Sequence, residues 1–139
     1  LVLFGAGITI ASAFIESGLA DQIAAQLSVL TTVPTWLMIL LICLSVTFMT
    51  EVTSNTATSS LLMPLLASAS VVMEVDPMLL MVPAAMSASC AFMLPVATAP
   101  NAVIYGSGRV RIEDMARAGF ALNLVGAVVI SAVCYVLLG

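Results

Sequence analysis

The sequence predicts an all-helical membrane protein built around one re-entrant helical hairpin and one broken transmembrane helix. Three observations predict it. The first is an oily composition: of 139 residues 63% are hydrophobic and 7% charged, with a mean hydropathy of +1.26, whereas soluble domains carry about 25% charged residues. The other two are polar interruptions, Thr50-Glu51-Val52-Thr53-Ser54-Asn55-Thr56-Ala57-Thr58-Ser59-Ser60 and Pro95-Val96-Ala97-Thr98-Ala99-Pro100-Asn101, each lying where a helix would otherwise cross lipid. Backbone that leaves helical geometry at membrane depth is tolerated only where protein buries it or it lines a wet cavity, because unpaired amides and carbonyls are costly in hydrocarbon. Such interruptions are expected to bind something polar.

The same composition excludes whole classes. Three arginines, no lysine and no histidine leave nucleic-acid binding without an electrostatic footprint. A serine hydrolase would lack its base, so no enzyme is expected. Cys43, Cys90 and Cys134 sit singly in apolar runs, with neither metal-site spacing nor an even number, and read as small hydrophobes. The opening Leu1-Val2-Leu3-Phe4, without methionine or a charged n-region, is no signal peptide; the chain reads as a piece of something longer.

Residues 1–15 are almost wholly apolar, and Gly5, Ala6, Gly7, Ala11, Ser12 and Ala13 would let helices approach closely in lipid; they are expected to end a transmembrane helix. Over residues 16–34, Leu19, Ile23, Leu27 and Leu30 recur at helical steps while Asp21, Gln22 and Gln26 face elsewhere. That is the pattern of an interfacial amphipathic arm, or of a plain connecting helix. Residues 35–76 are expected to form the hairpin. Trp36 suits the headgroup level, and the apolar run from Leu37 to Met49 is shorter than the ~20 residues a span requires. The polar tip at 50–60 follows, and a second run from Ala57 to Met73 leads back to the acidic turn Glu74-Val75-Asp76-Pro77.

Residues 77–108 read as the broken helix: Met78 to Leu94, a break at 95–101 around Pro95 and Pro100, then a short helix from about Asn101 to Tyr105, stopped by Gly106 and Gly108. Residues 109–139 open on the basic cluster Arg109, Arg111 and Arg117 and continue as the longest apolar span, Met115 to Leu138. The positive-inside rule places that cluster in the cytoplasm. The C-terminus and residue 77 would then lie outside, with the hairpin entering from outside.

Ser54, Asn55 and Thr56 stand where side chains cap a helix start and free N–H groups attract anions, and Pro64 can kink the arm that follows. Pro100 biases Ala99 toward extended geometry and releases carbonyls around Val96 to Thr98, oxygens suited to sodium. Either break alone fits an ordinary extramembrane loop or a simple kink. The two together are better explained as facing half-sites of a secondary transporter for a polar solute and a cation.

Met49-Thr50-Glu51-Val52-Thr53-Ser54-Asn55-Thr56-Ala57 resembles the second Ser-Asn-Thr hairpin tip of the divalent anion/sodium symporters. The stretch from Ser87 to Gly106 resembles that family's signature almost throughout, with Ala99 where many members carry proline. The resemblance implies an elevator-type transporter of two inverted repeats, of which this chain is most of the second, with the N-terminal repeat missing. It implies a sodium-coupled di- or tricarboxylate symporter of the cell membrane, multi-pass and a homodimer at full length. Its implied substrate contacts are Ser54, Asn55, Thr56 and Thr98, and its implied sodium ligands are oxygens of Thr50, Thr53, Asn55 and Ala97. Thr53 replaces a frequent alanine, and its backbone oxygen could still serve. Glu51 is expected to be structural, paired within the hairpin. The alternatives are a sulfate-preferring or proton-coupled relative and, from another class, a non-transporting helical subunit.

Overall fold

The computed structural model describes residues 33–139 and, ahead of them, Gly5, Thr9, Ser12, Ala13, residues 16–19 and Gln22. The expectations for 1–15 and 16–34 therefore fall almost wholly outside the described residues. From residue 33 on, the elements are all helical: α1 (Thr35–Thr50), α2 (Asn55–Val72), α3 (Pro77–Ser87), α4 (Ala99–Gly106) and α5 (Ile112–Leu138).

α1 and α2 are the arms of a helical hairpin whose turn is only residues 51–54, narrower than the expected tip at 50–60. Ser54 starts α2 by accepting a hydrogen bond from the Ala57 amide at 3.1 Å, which satisfies one of the orphan donors of a helix start. The arms touch each other little, since α3 packs against both. One apolar cluster joins Met38 and Val46 of α1, Leu66 and Ala69 of α2, and Leu80 and Ala84 of α3. A second joins Ile39 and Cys43 of α1 to Ala127, Ile130 and Cys134 of α5.

α5 is the one helix among the described residues long and apolar enough to cross a membrane; α1 and α3 are apolar but shorter. Its buried residues, Met115, Gly119, Asn123, Ala127, Ile130, Ser131 and Cys134, recur at steps of three and four and form one stripe. Phe120, Leu122, Val125, Val128, Val129 and Val133 are exposed. Small and polar side chains inside with large aliphatics outside invert the pattern of a water-soluble helix and match a helix that packs through small residues within lipid.

The connector from α2 to α3 closes on backbone bonds: Glu74 N–H to the Val71 carbonyl at 3.3 Å and Val75 N–H to the Ser70 carbonyl at 3.1 Å. This is the Schellman arrangement, which needs a left-handed residue after the helix, and Glu74 supplies it at φ 54°. Asp76 then caps α3 through the Met78 amide at 2.8 Å, with Pro77 in its first turn. Since a non-glycine residue there is strained by about 1 kcal/mol, Glu74→Gly is expected to stabilise the fold by about that much. The check is the midpoint of thermal unfolding in detergent; a lower midpoint would mean that the Glu74 side chain contributes more than its backbone costs.

The helix expected to run from Met78 to Leu94 stops instead at Ser87, and α4 begins at Ala99 rather than Asn101. The non-helical break is thus 88–98, displaced from the expected 95–101. Neither Pro95 nor Pro100 marks its start, and the cause lies in the hairpin tip.

Candidate functional site

At the tip, Thr50 is fully buried, Asn55 is half-buried, and Ser54 and Thr56 are exposed. The Thr50 hydroxyl lies 2.8 Å from Asn55 Oδ1 and 2.9 Å from the Ala88 carbonyl oxygen. A hydroxyl carries one proton, so it donates to one of these at a time and three oxygens share a single hydrogen. Such a cluster is rich in lone pairs. The Thr53 hydroxyl is committed to the hairpin itself, donating to the Met49 carbonyl at 2.9 Å and lying 2.6 Å from Thr58 Oγ1. The hydroxyl proton is thus used within the hairpin, and the backbone oxygen of Thr53 remains a further candidate toward a cation.

Glu51 decides the break. The residue is 3% exposed. Oε1 accepts from the amides of Phe92 at 2.7 Å and Met93 at 2.9 Å and from Asn123 Nδ2 at 2.7 Å, while Oε2 accepts from the Leu94 amide at 3.0 Å. Had α3 continued, those backbone amides would have bonded to the carbonyls of Ala88, Ser89 and Cys90, following the i to i−4 rule. Glu51 takes the donors and Thr50 sits on the Ala88 acceptor, so the hairpin unwinds the neighbouring helix. The expectation that Glu51 pairs within the hairpin is corrected: its partners are the break and α5, because the tip turn directs the side chain across to them.

The far side of the break is held by Asn101, whose Nδ2 donates to the carbonyls of Ala91 at 2.9 Å and Leu94 at 3.1 Å. Thr98 caps α4, its hydroxyl accepting from the Asn101 amide at 3.3 Å. The Ala97 amide bonds back to the Leu94 carbonyl at 3.2 Å, which closes a turn over Pro95 and Val96. α5 approaches this backbone at Gly119, where an added Cβ would lie 2.3 Å from the Phe92 carbonyl oxygen and 2.5 Å from Met93 Cα. Only glycine lets the two backbones meet there.

Of the residues singled out in the sequence, Thr50 and Asn55 are thus in direct contact. Ser54, Asn55 and Thr56 form the start of α2. Ala97 and Thr98 stand on the break, which is tied to the hairpin through Glu51. Sequence reasoning missed three contributors. Asn123 carried a signal, since an amide inside an apolar span marks a functional site by default, and Gly119 lies one turn before it on the same face. Ala88 carried none, because it acts through its backbone.

Over residues 1–138 the chain matches the profile described as the sodium:sulfate symporter transmembrane region. It is 49% identical over 137 residues to a protein named sodium-dependent dicarboxylate transporter SdcS from Staphylococcus saprophyticus, a match covering 99% of this chain and 26% of that protein. Proteins of the same name from Staphylococcus aureus strains USA300 and NCTC 8325 are 49% identical over 135 residues, covering 97% of this chain and 26% of each. The chain spans about a quarter of the length of these curated relatives. With nearly every residue inside the match, the hairpin tip and the break included, the chain belongs to the sodium:sulfate symporter family.

Proposed function

We propose that the chain forms part of a secondary active transporter that couples sodium entry to uptake of a di- or tricarboxylate such as succinate, malate or citrate. The observation that carries this reading is the oxygen cluster of Thr50, Asn55 and Ala88, one proton among three oxygens, set beside the start of α2. Sodium is held by oxygens of Thr50, Thr53, Asn55 and Ala97, joined by the Ala88 carbonyl. A substrate carboxylate sits against Ser54, Asn55, Thr56 and Thr98, where Ser54 Oγ accepts from the Ala57 amide and keeps its hydroxyl proton to donate. The partial positive charge at the start of α2 adds to the attraction for an anion.

In this reading α1 and α2 form a re-entrant hairpin, and 77–108 is a broken transmembrane helix. The chain is the second of two inverted repeats, and the unit moves as a rigid body past a scaffold in a homodimeric, multi-pass protein of the cell membrane. The exposed arginines at the start of α5 face the cytoplasm and the C-terminus lies outside. Sulfate is the second reading, favoured by the family's own description; the names of the 49% identical relatives favour the carboxylate.

The test is uptake of labelled succinate into proteoliposomes holding the full-length transporter. An inward sodium gradient is expected to drive accumulation that an equal potassium gradient does not. Equal uptake under both gradients would overturn sodium coupling, and uptake of sulfate without succinate would reverse the choice of substrate.

A further inference from the structure

Among the described residues Glu51 is the only buried carboxylate, and no cation faces it: the three arginines, at 109, 111 and 117, are all exposed. Removing a carboxylate from water is expensive, and an apolar side chain would serve packing better. What Glu51 accomplishes is geometric. It grips the break by three consecutive amides, and it follows directly on Thr50, which contributes to the oxygen cluster. One turn of backbone therefore carries both a cation-facing oxygen and the anchor of the segment that bears Ala97.

The anchor is itself held. Asn123 is 0% exposed and donates to Glu51 Oε1 at 2.7 Å. That donor role settles its amide orientation, since Oδ1 toward the carboxylate would set lone pairs against lone pairs. Gly119, one turn earlier on α5, receives the backbone of Phe92 and Met93. Phe48 and Phe120, their ring centroids 5.6 Å apart, join α1 to α5 beside them. From Leu94 the turn closed by the Ala97 amide carries any displacement of residues 92–94 on to Ala97.

We propose that Asn123, acting through Glu51, is a positioning residue for the coupling ion: α5 sets where the break, and with it the Ala97 carbonyl, stands relative to Thr50 and Asn55. This rests on the sodium-symport reading above. Asn123 touches neither ion nor substrate, and its influence runs through one carboxylate and the three amides that carboxylate holds.

The experiment compares the full-length transporter with its Asn123→Leu variant, which keeps the number of side-chain heavy atoms but has no donor, and with the milder Asn123→Ser. The readout is the sodium concentration that gives half-maximal thermal stabilisation in detergent, with choline holding ionic strength constant. Asn123→Leu is expected to raise that concentration at least fivefold, and Asn123→Ser by less. The unfolding temperature in choline alone is expected to fall as well, because the buried carboxylate loses a donor, while the succinate KM at saturating sodium changes little; the sodium midpoint is the discriminating readout. A merely structural asparagine would lower the unfolding temperature in choline and leave the sodium midpoint where it was, and that outcome overturns the proposal.

A measurement on the unmodified protein covers the case in which the variants do not fold. Sodium is expected to slow hydrogen exchange at the amides of residues 92–94, and unchanged exchange there would equally overturn the proposal. If the unmodified protein shows no sodium-dependent stabilisation at all, it is the symport reading that fails.

Discussion

Asn55→Ala in the full-length transporter is expected to lower sodium-driven uptake at least a hundredfold while the protein still folds and is recovered in normal amount. In the native site Asn55 Oδ1 is one of the two oxygens within reach of the Thr50 hydroxyl. Alanine removes that oxygen, and Thr50 then donates to Ala88 without loss. The buried hydroxyl keeps a partner, so the penalty for an unsatisfied polar group is avoided. Asn55 is half-buried at a helix start, so no cavity opens in the core. Under the proposed assignment function would lose two contacts at once, the amide oxygen on the cation and the amide nitrogen on the substrate carboxylate. Hydrogen bonds to charged groups contribute about 1.5–3 kcal/mol each, and a hundredfold needs about 2.8 kcal/mol. Uptake at near-normal rate with unchanged sodium dependence would remove Asn55 from the site.

The second large effect is on coupling. Dicarboxylate affinity, measured by calorimetry on the full-length transporter in detergent, is expected to fall at least tenfold when sodium is replaced by choline at equal ionic strength. A dianion at membrane depth is costly in low dielectric, and this chain offers it no cationic side chain: Arg109, Arg111 and Arg117 are exposed near the start of α5. Arg111 is moreover already engaged with Asp114 at 2.9 Å. The starts of α2 and α4 contribute about half a charge each at most. In the proposed symport bound sodium would supply the remainder, and tenfold corresponds to about 1.4 kcal/mol of coupling. Equal affinity in both salts would mean that another group neutralises the anion, and sodium symport would have to give way.

The sequence by itself determined the helical class, through composition and hydropathy, and bracketed the hairpin turn within 50–60, because Ser54, Asn55 and Thr56 favour a cap over continued helix. It also picked out Thr50 and Asn55, through resemblance to a known tip, and α5, whose length and apolarity are local properties. Only the tertiary structure decided where the broken helix breaks. Pro95 and Pro100 pointed to 95–101, since proline is the visible obstacle to a helix. The helix ends earlier, at Ser87, because Glu51 captures the amides of Phe92, Met93 and Leu94 and Thr50 lies against the Ala88 carbonyl. Nothing in residues 88–94 forbids helix; partners some forty positions away outcompete it. The same holds for α5, where the glycine at 119 and the amide at 123 gain meaning only once the break is folded against them. Local preference is written in the neighbours of each residue, whereas the competition for backbone hydrogen bonds depends on which distant groups the fold delivers.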